Sequence, residues 1–259
     1  MIDLVRLERD GAVGVIRLDR PPVNAINTVI HRELLEVARQ VAGNPEIRAV
    51  VLYGGERAFA GGADIKEMMD RTPGEIAMLG GALNDAVNAV ARLTQPVIAA
   101  ITGYALGGGL ELALAADFRI VAENALLGLP EITLGVIPGG GGTQRLPRLI
   151  GVTKAKEMIF TGRPVGGADA VGIGLASRAV PADQVFAEAM KMARRFSVGA
   201  TAALAAAKRA IDDGLDGSLS AGLELEGRKF AEIFGTEDQK IGMTSFVREG
   251  PGKATFVGR

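Results

Sequence analysis

The alternation of apolar and polar positions changes rhythm several times along the chain. The opening LVRLERDGAVGVIRL alternates with a period of two on both sides of Asp10-Gly11. Such alternation marks half-buried strands, and Asp-Gly is a favoured two-residue turn, so a hairpin is predicted. Residues 27–41 switch to helical spacing, with Val29, Ile30, Leu34, Val37, Ala38 and Val41 on one stripe. IRAVVLYGG and PVIAAITG are β-branched runs closed by glycine, the pattern of strands buried on both faces. Between them, residues 74–93 repeat Ile76, Leu79, Leu83, Val87 and Val90 at i+3/i+4 intervals, and Pro96 opens the next strand. FRIVAE reads as a further strand. Strands alternating with helices imply an α/β core whose helices cover the sheet faces. From Pro181 the rhythm is almost wholly helical: ADQVFAEAMKMARRF, then TAALAAAKRAI stopped at Asp213-Gly214, then residues 218–234, then a last helix. Thr236 with Gln239 forms a capping-box pattern there, and Gly250-Pro251-Gly252 ends it. Apolar stripes on these helices either complete a subunit interface or are buried internally.

Composition narrows the function classes. With 259 residues and 48% apolar content the chain can build a sizeable core. Its 29 basic and 30 acidic residues nearly cancel and no run of Lys or Arg occurs, so the footprint of a nucleic-acid binder is missing. Cysteine is absent, which excludes disulfides, a thiol nucleophile and Cys-ligated metal. The single histidine, His31, lies among Arg32, Glu33 and Glu36 and reads as a solvated helix position. Triads and His-rich metal sites therefore have little to build on. No window reaches about 18 uninterrupted apolar residues, the length a membrane span needs, and MIDLVRLERDG lacks the apolar centre of a signal peptide. A cytoplasmic protein is expected, and catalysis, if present, must use carboxylates and backbone.

Three loops offer that chemistry: AFAGGADIKEM, GYALGGGLE and IPGGGGTQR. Each is predicted to leave an extended run and open into a helix. A helix N-terminus presents unpaired N–H groups and partial positive charge, and glycine lets a ligand oxygen approach them. Neither the Walker pattern nor G-x-G-x-x-G is present, so nucleotide phosphate is a poor match. Two glutamates lie in apolar surroundings beside these loops. Glu111 follows Gly108 by three residues, within the first turn of a helix starting near Gly107, and Glu131 follows Pro130, which holds Leu129 extended. Each is either ion-paired, with Arg119 or Arg145 as candidate partner, or chemically active. Two carboxyls facing one small volume cannot both ionise cheaply, so one would hold a proton while the other acts as base on a water between them.

Six motifs and their order give the chain a family resemblance. NAIN at Asn24, AFAGGADIKEM at Ala58, GYALGGGLELALAADFRI at Gly103 and LGLPEITLGVIPGGGGTQRLPRLIG at Leu127, with TGRPVGGADAVGIGLASRAV and TEDQKIGMTSFVREG downstream, resemble the enoyl-CoA hydratase (crotonase) family over essentially the whole chain. The resemblance implies an α/β crotonase-type spiral of β-β-α turns over residues 1–195, carrying the site, and a helical oligomerisation region over residues 196–259. A homotrimer or dimer of trimers follows from it. By the same resemblance, the backbone N–H groups of Ala63 and Gly108 form an oxyanion hole for a thioester carbonyl. Glu111 and Glu131 match the two catalytic glutamates of members that hydrate a double bond. Val23 and Ala25, together with Ala60, Asp64, Ile65 and Lys66, fall in segments that run along coenzyme A; Tyr104, Gly107, Pro130 and Gly139 are further substrate-contact positions. The aliphatics among them could equally be core, and Arg20 either reaches a phosphate or is a surface charge.

The implied reaction is hydration of a trans-2-enoyl-CoA to a 3-hydroxyacyl-CoA, in fatty-acid β-oxidation or related acyl-CoA metabolism. Coenzyme A enters as part of the substrate, and no metal or separate cofactor is expected. Gly61 and Gly140 stand where the family often has a small side chain, which predicts looser loops, and Leu127 replaces a frequent Phe. With 9 Phe, 2 Tyr and no Trp, an aliphatic acyl chain fits better than a large ring. Two alternatives remain open. An enoyl-CoA isomerase or another crotonase-type lyase needs only a carboxyl at Glu131. A non-catalytic acyl-CoA-binding or RNA-attached scaffold need keep neither glutamate, although the helix from Asn27 to Val41 carries no lysine for RNA.

Overall fold

The predicted hairpin opens the fold: strands β1 (Val5–Asp10) and β2 (Val13–Leu18) pair antiparallel around Gly11, which takes the left-handed conformation at φ +59°. The computed structural model describes residues 3–259, so the first two residues of the segment read against a signal peptide lie outside the described residues. Helix α1 (Thr28–Ala42) begins at Asn27, whose side chain accepts the Ile30 N–H, and leads into β3 (Ala49–Tyr53). Helix α2 (Pro73–Ala91) is started by a complete capping box between Thr72 and Glu75, and β4 (Val97–Ile101) follows. Both strands are buried throughout, as continuous apolar runs require.

Three short elements come next: β5 (Tyr104–Leu106), α3 (Gly108–Ala113) and β6 (Phe118–Ala122). Then come β7 (Leu126–Gly128), α4 (Gly142–Ile150), α5 (Val152–Thr161), β8 (Val165–Gly166), α6 (Gly167–Gly172) and β9 (Arg178–Val180). The strands form two sheets, one of six in the order β1-β2-β3-β4-β6-β9 and one of three in the order β5-β7-β8. From β2 to β9 the large sheet is parallel, and α7 (Val185–Ser197) lies across β2, β3, β4 and β6.

The small sheet positions the site. β5 and β7 run parallel with Tyr104 opposite Leu126, Ala105 opposite Leu127 and Leu106 opposite Gly128, and Ala60 bridges in parallel to Ala105 on the other side. Three chain segments therefore leave one edge together, towards Gly61, Gly107 and Leu129.

Helices α8 (Thr201–Gly214), α9 (Leu219–Ile233) and α10 (Glu237–Glu249) complete the chain. Only half of the capping box at α10 forms: Thr236 accepts the Gln239 N–H, while the Gln239 amide turns to Met243 Sδ. Lys208 of α8 ties this region to the sheet through Asp117 at 2.9 Å and the Gln95 carbonyl at 3.3 Å. Internal burial of the apolar stripes is not what the fold does with them. Ile211, Leu215, Leu219, Leu223, Phe230, Phe246 and Val247 are exposed.

Candidate active site

Glu111 sits on the first turn of α3, as the glycine spacing predicts, with Gly107 as N-cap. Gly107 has φ +51° and ψ −127°, a conformation open to glycine and costly for other residues. Close packing of α3 on the Ala60 strand also demands a missing side chain, because a methyl group on Gly109 would strike the Ala60 carbonyl. Glu111 is 2% exposed. Its Oε1 accepts two backbone bonds, from Gly140 N at 2.7 Å and Gly142 N at 2.8 Å. The ion-pair alternative is thus resolved against a direct partner. Arg119 donates instead to the carbonyls of Leu175, Ala113 and Ala116, and Arg145 to the Gly140 carbonyl and Asn88. Burial pushes the Glu111 pKa up, while the two N–H groups and the nearby Arg145 charge work to keep it ionised.

Glu131 begins a 3-10 turn, Glu131–Leu134, that hydrophobic periodicity does not reveal. Its Oε2 is buried without a hydrogen-bond partner. Burial pushes its pKa up to about 7, opposed by its own backbone N–H and assisted by the negative charge of Glu111. The two carboxyls stand over adjacent glycines: a methyl on Gly107 would lie 3.2 Å from Glu131 Oε1, and one on Gly108 would lie 4.0 Å from Glu111 Oε2. That same methyl on Gly108 would be 3.7 Å from the Ala63 nitrogen. The N–H groups of Ala63 and Gly108 donate to no acceptor among the described residues. One small volume thus holds a carboxyl whose charged form two amides support, a second carboxyl biased towards its acid form and two free amide donors. An acid, a base and an anion cradle can move a proton and stabilise an oxyanion.

The remaining predicted residues divide. Ala60 is buried in the bridge to Ala105, and Gly61 donates to the Val23 carbonyl at 2.7 Å, so the Val23–Ala25 segment lies against the Ala63 loop. Arg20 fastens that junction, donating to Asp64 Oδ2 at 2.6 Å and the Ala25 carbonyl at 2.7 Å. It is therefore an internal tie and not a free surface charge. Ile65 and Lys66 are exposed in a 3-10 turn, Ile65–Glu67, so this loop does not open directly into the α-helix expected of it. Pro130 precedes Glu131 directly, and the Gly139 carbonyl accepts from Asn84. Tyr104 stands at the far end of β5 from Gly107 with its side chain exposed. The loop around Gly140 is not loosened as expected: Gly140 is buried and a methyl there would press within 2.7 Å of Glu111 Oε2.

Sequence reasoning missed Asn24 as a structural staple. It is the one non-glycine residue with positive φ among the described residues, at +53°, and its buried amide donates to the carbonyls of Gly54, Ala58 and Phe59. His31 is corrected as well: it is buried, and neither ring nitrogen has a partner. Burial holds its pKa below the usual value, with Glu67 acting in the opposite direction.

Residues 8–256 match the family model described as Enoyl-CoA hydratase/isomerase. The chain belongs to this family. Among family members, it is 46% identical over 245 residues to a "Probable enoyl-CoA hydratase" of Rhizobium meliloti, covering 93% of each chain. It is 39% identical over 247 residues to a "Short-chain-enoyl-CoA hydratase" of Clostridium acetobutylicum, covering 95% of each. The crystal structure of an enoyl-CoA hydratase from Bacillus anthracis superposes with a TM-score of 0.93 at 37% identity, covering 99% of this chain and 100% of that one. The crotonase-type fold is thereby shown for this chain, and with it the α/β class expected from the strand and helix rhythm.

Proposed function

We propose that the protein is a hydro-lyase that adds water across the 2,3-double bond of a trans-2-enoyl-CoA, giving the 3-hydroxyacyl-CoA. The observation that carries the reading is the unequal pair of carboxyls. Burial raises the pKa of both, but two amides oppose the rise at Glu111, whereas Glu131 is pushed up to about 7 beside two unengaged N–H donors. Glu111 takes a proton from water as the water oxygen bonds to C3. The π electrons move to C2 and are shared with the thioester oxygen, which the Ala63 and Gly108 N–H groups stabilise. Glu131 then delivers its proton to C2, and exchange with solvent resets both carboxyls. Losing one oxyanion donor of this kind costs about 10²–10³ in rate. The chemistry calls for no metal or redox group, since coenzyme A enters with the substrate.

Val23, Ala25, Asp64, Ile65 and Lys66 lie along the loops proposed to meet coenzyme A, and Ala60, Gly107, Pro130 and Gly139 border the acyl end. The exposed apolar faces of α8, α9 and α10 support a homo-oligomer, a trimer or dimer of trimers. No helix among the described residues is long and apolar enough to cross a membrane, which agrees with a cytoplasmic enzyme of acyl-CoA metabolism. The name of the Clostridium relative supports a short acyl chain. Purified protein should bleach the enoyl-thioester absorbance of crotonyl-CoA within seconds to minutes. Turnover confined to a 3-enoyl-CoA would replace hydration by double-bond isomerisation, and no reaction with either would leave a binding protein.

A further inference from the structure

Glu111 reaches its two amides only because a run of four glycines, Gly139–Gly142, turns back over it. Four consecutive glycines form the most conformationally free backbone a chain can have, and nothing in the run itself aims two N–H groups at one oxygen. The aim comes from outside. Asn84 of α2 donates to the Gly139 carbonyl at 2.8 Å, sharing its amide with the Gly80 carbonyl at 3.1 Å. Asn88, one helical turn further along the same face, accepts from Arg145 Nη2 at 2.6 Å, and Nη1 of that guanidinium donates to the Gly140 carbonyl at 3.3 Å. Arg145 is set in place by its own N–H on the Gly141 carbonyl at 2.8 Å, where Gly141 turns with φ +105°. Asparagine is a poor residue for a helix interior, so two of them spaced four apart on α2 point to a tertiary purpose.

We propose that Asn84, Asn88 and Arg145 form a clamp between α2 and α4 that aims the Gly140 and Gly142 amides at Glu111, making all three positioning residues for water addition. The proposal rests on the hydratase reading. With Oε1 occupied by both amides, Oε2 is the oxygen left to receive the proton, on the side of Gly108. The clamp therefore selects which carboxylate oxygen acts as base. The charged groups acting on Glu111 are Arg145 from α4 and Glu131 from its 3-10 turn. The side chains that α2 brings to this turn, Leu83, Asn84 and Asn88, are uncharged.

The test is the pH profile of crotonyl-CoA hydration, with kcat and KM measured separately, for Asn88→Ala, Asn88→Asp, Arg145→Lys and Arg145→Met. Misplacing a reacting group by about 1 Å can cost about 10²-fold. Asn88→Ala and Arg145→Met should therefore lose about 10- to 100-fold in kcat with KM nearly unchanged. Arg145→Met should also move the acid limb to higher pH, because Glu111 loses its positive neighbour. Arg145→Lys keeps that limb without restoring kcat, and Asn88→Asp, which retains the acceptor, recovers most of kcat. Variants with the wild-type kcat and acid limb would overturn the clamp. So would a loss that is uniform across pH, accompanied by a fall in melting temperature and unrelieved by Asn88→Asp. An inactive wild type would overturn the hydratase reading instead, so the two failures are distinguishable.

Discussion

Two carboxyls of the same chemistry occupy seats built on opposite plans. Glu111 is enclosed, on a helical turn, with one oxygen engaged by two amides. Glu131 hangs from a four-residue 3-10 turn, with a buried oxygen that nothing satisfies. Burial raises the pKa of both, but hydrogen bonds to the charged form oppose it at Glu111, whereas at Glu131 the neighbouring negative charge adds to it. A sequence contains two glutamates; the backbone gives one of them two amide partners and leaves the other with an unpartnered oxygen.

The strongest way to break this contrast is to remove each charge without changing shape. Glu111→Gln and Glu131→Gln should each lower kcat on crotonyl-CoA by about 10²–10⁴. The wild-type profile should be bell-shaped for hydration. The rate rises with pH as Glu111 ionises and falls as pH climbs past about 7, where Glu131 surrenders its proton. Because the carboxyls interact, the two limbs belong to the pair. A profile with no alkaline fall would remove the acid role from Glu131.

A milder probe presses on each seat separately with one methyl group. Gly107→Ala crowds Glu131 Oε1 and forces a side chain onto φ +51°, so it should cost about 1–3 kcal/mol of stability in urea unfolding as well as rate. Gly140→Ala meets Glu111 Oε2 and Leu83 without positive-φ strain, so rate should fall more than stability does. Equal stability losses in both would show that the contacts, and not the backbone conformation, dominate.

The smallest effect belongs to a third buried titratable group that has no partner at all. Burial lowers the folded-state pKa of His31 from 6.5. The unfolded chain therefore binds a proton first, and stability present above pH 6.5 is lost as pH falls towards the folded-state value. One proton changes stability by at most about 1.4 kcal/mol per pH unit. His31→Leu should flatten the acid side of the stability curve by no more than that.

The strands and long helices were legible because each repeats a burial period over many residues, as in α2 and the continuous runs of β3 and β4. Glu111 was legible because three glycines announce where α3 begins. The turn at Glu131 was not, since EITL is too short to show any helical period. His31 was misread from its chain neighbours Arg32 and Glu33, whereas its neighbours on the helix face are Leu34 and Ala38, at i+3 and i+7, both buried. Helical spacing was the signal available. The amides of Gly140 and Gly142 could not be read at all, because a glycine run does not state which way its N–H groups point.

The side-by-side registry of Ala60, Ala105 and Leu127 reaches beyond this one reaction. Neighbouring strands lie about 4.8 Å apart, so each segment delivers its own groups from a separate post: the Ala63 amide follows the first, the Gly108 amide and Glu111 the second, and Glu131 the third. Exchanging the residue on one post leaves the others standing, which lets a single scaffold be re-equipped for different proton traffic without being refolded.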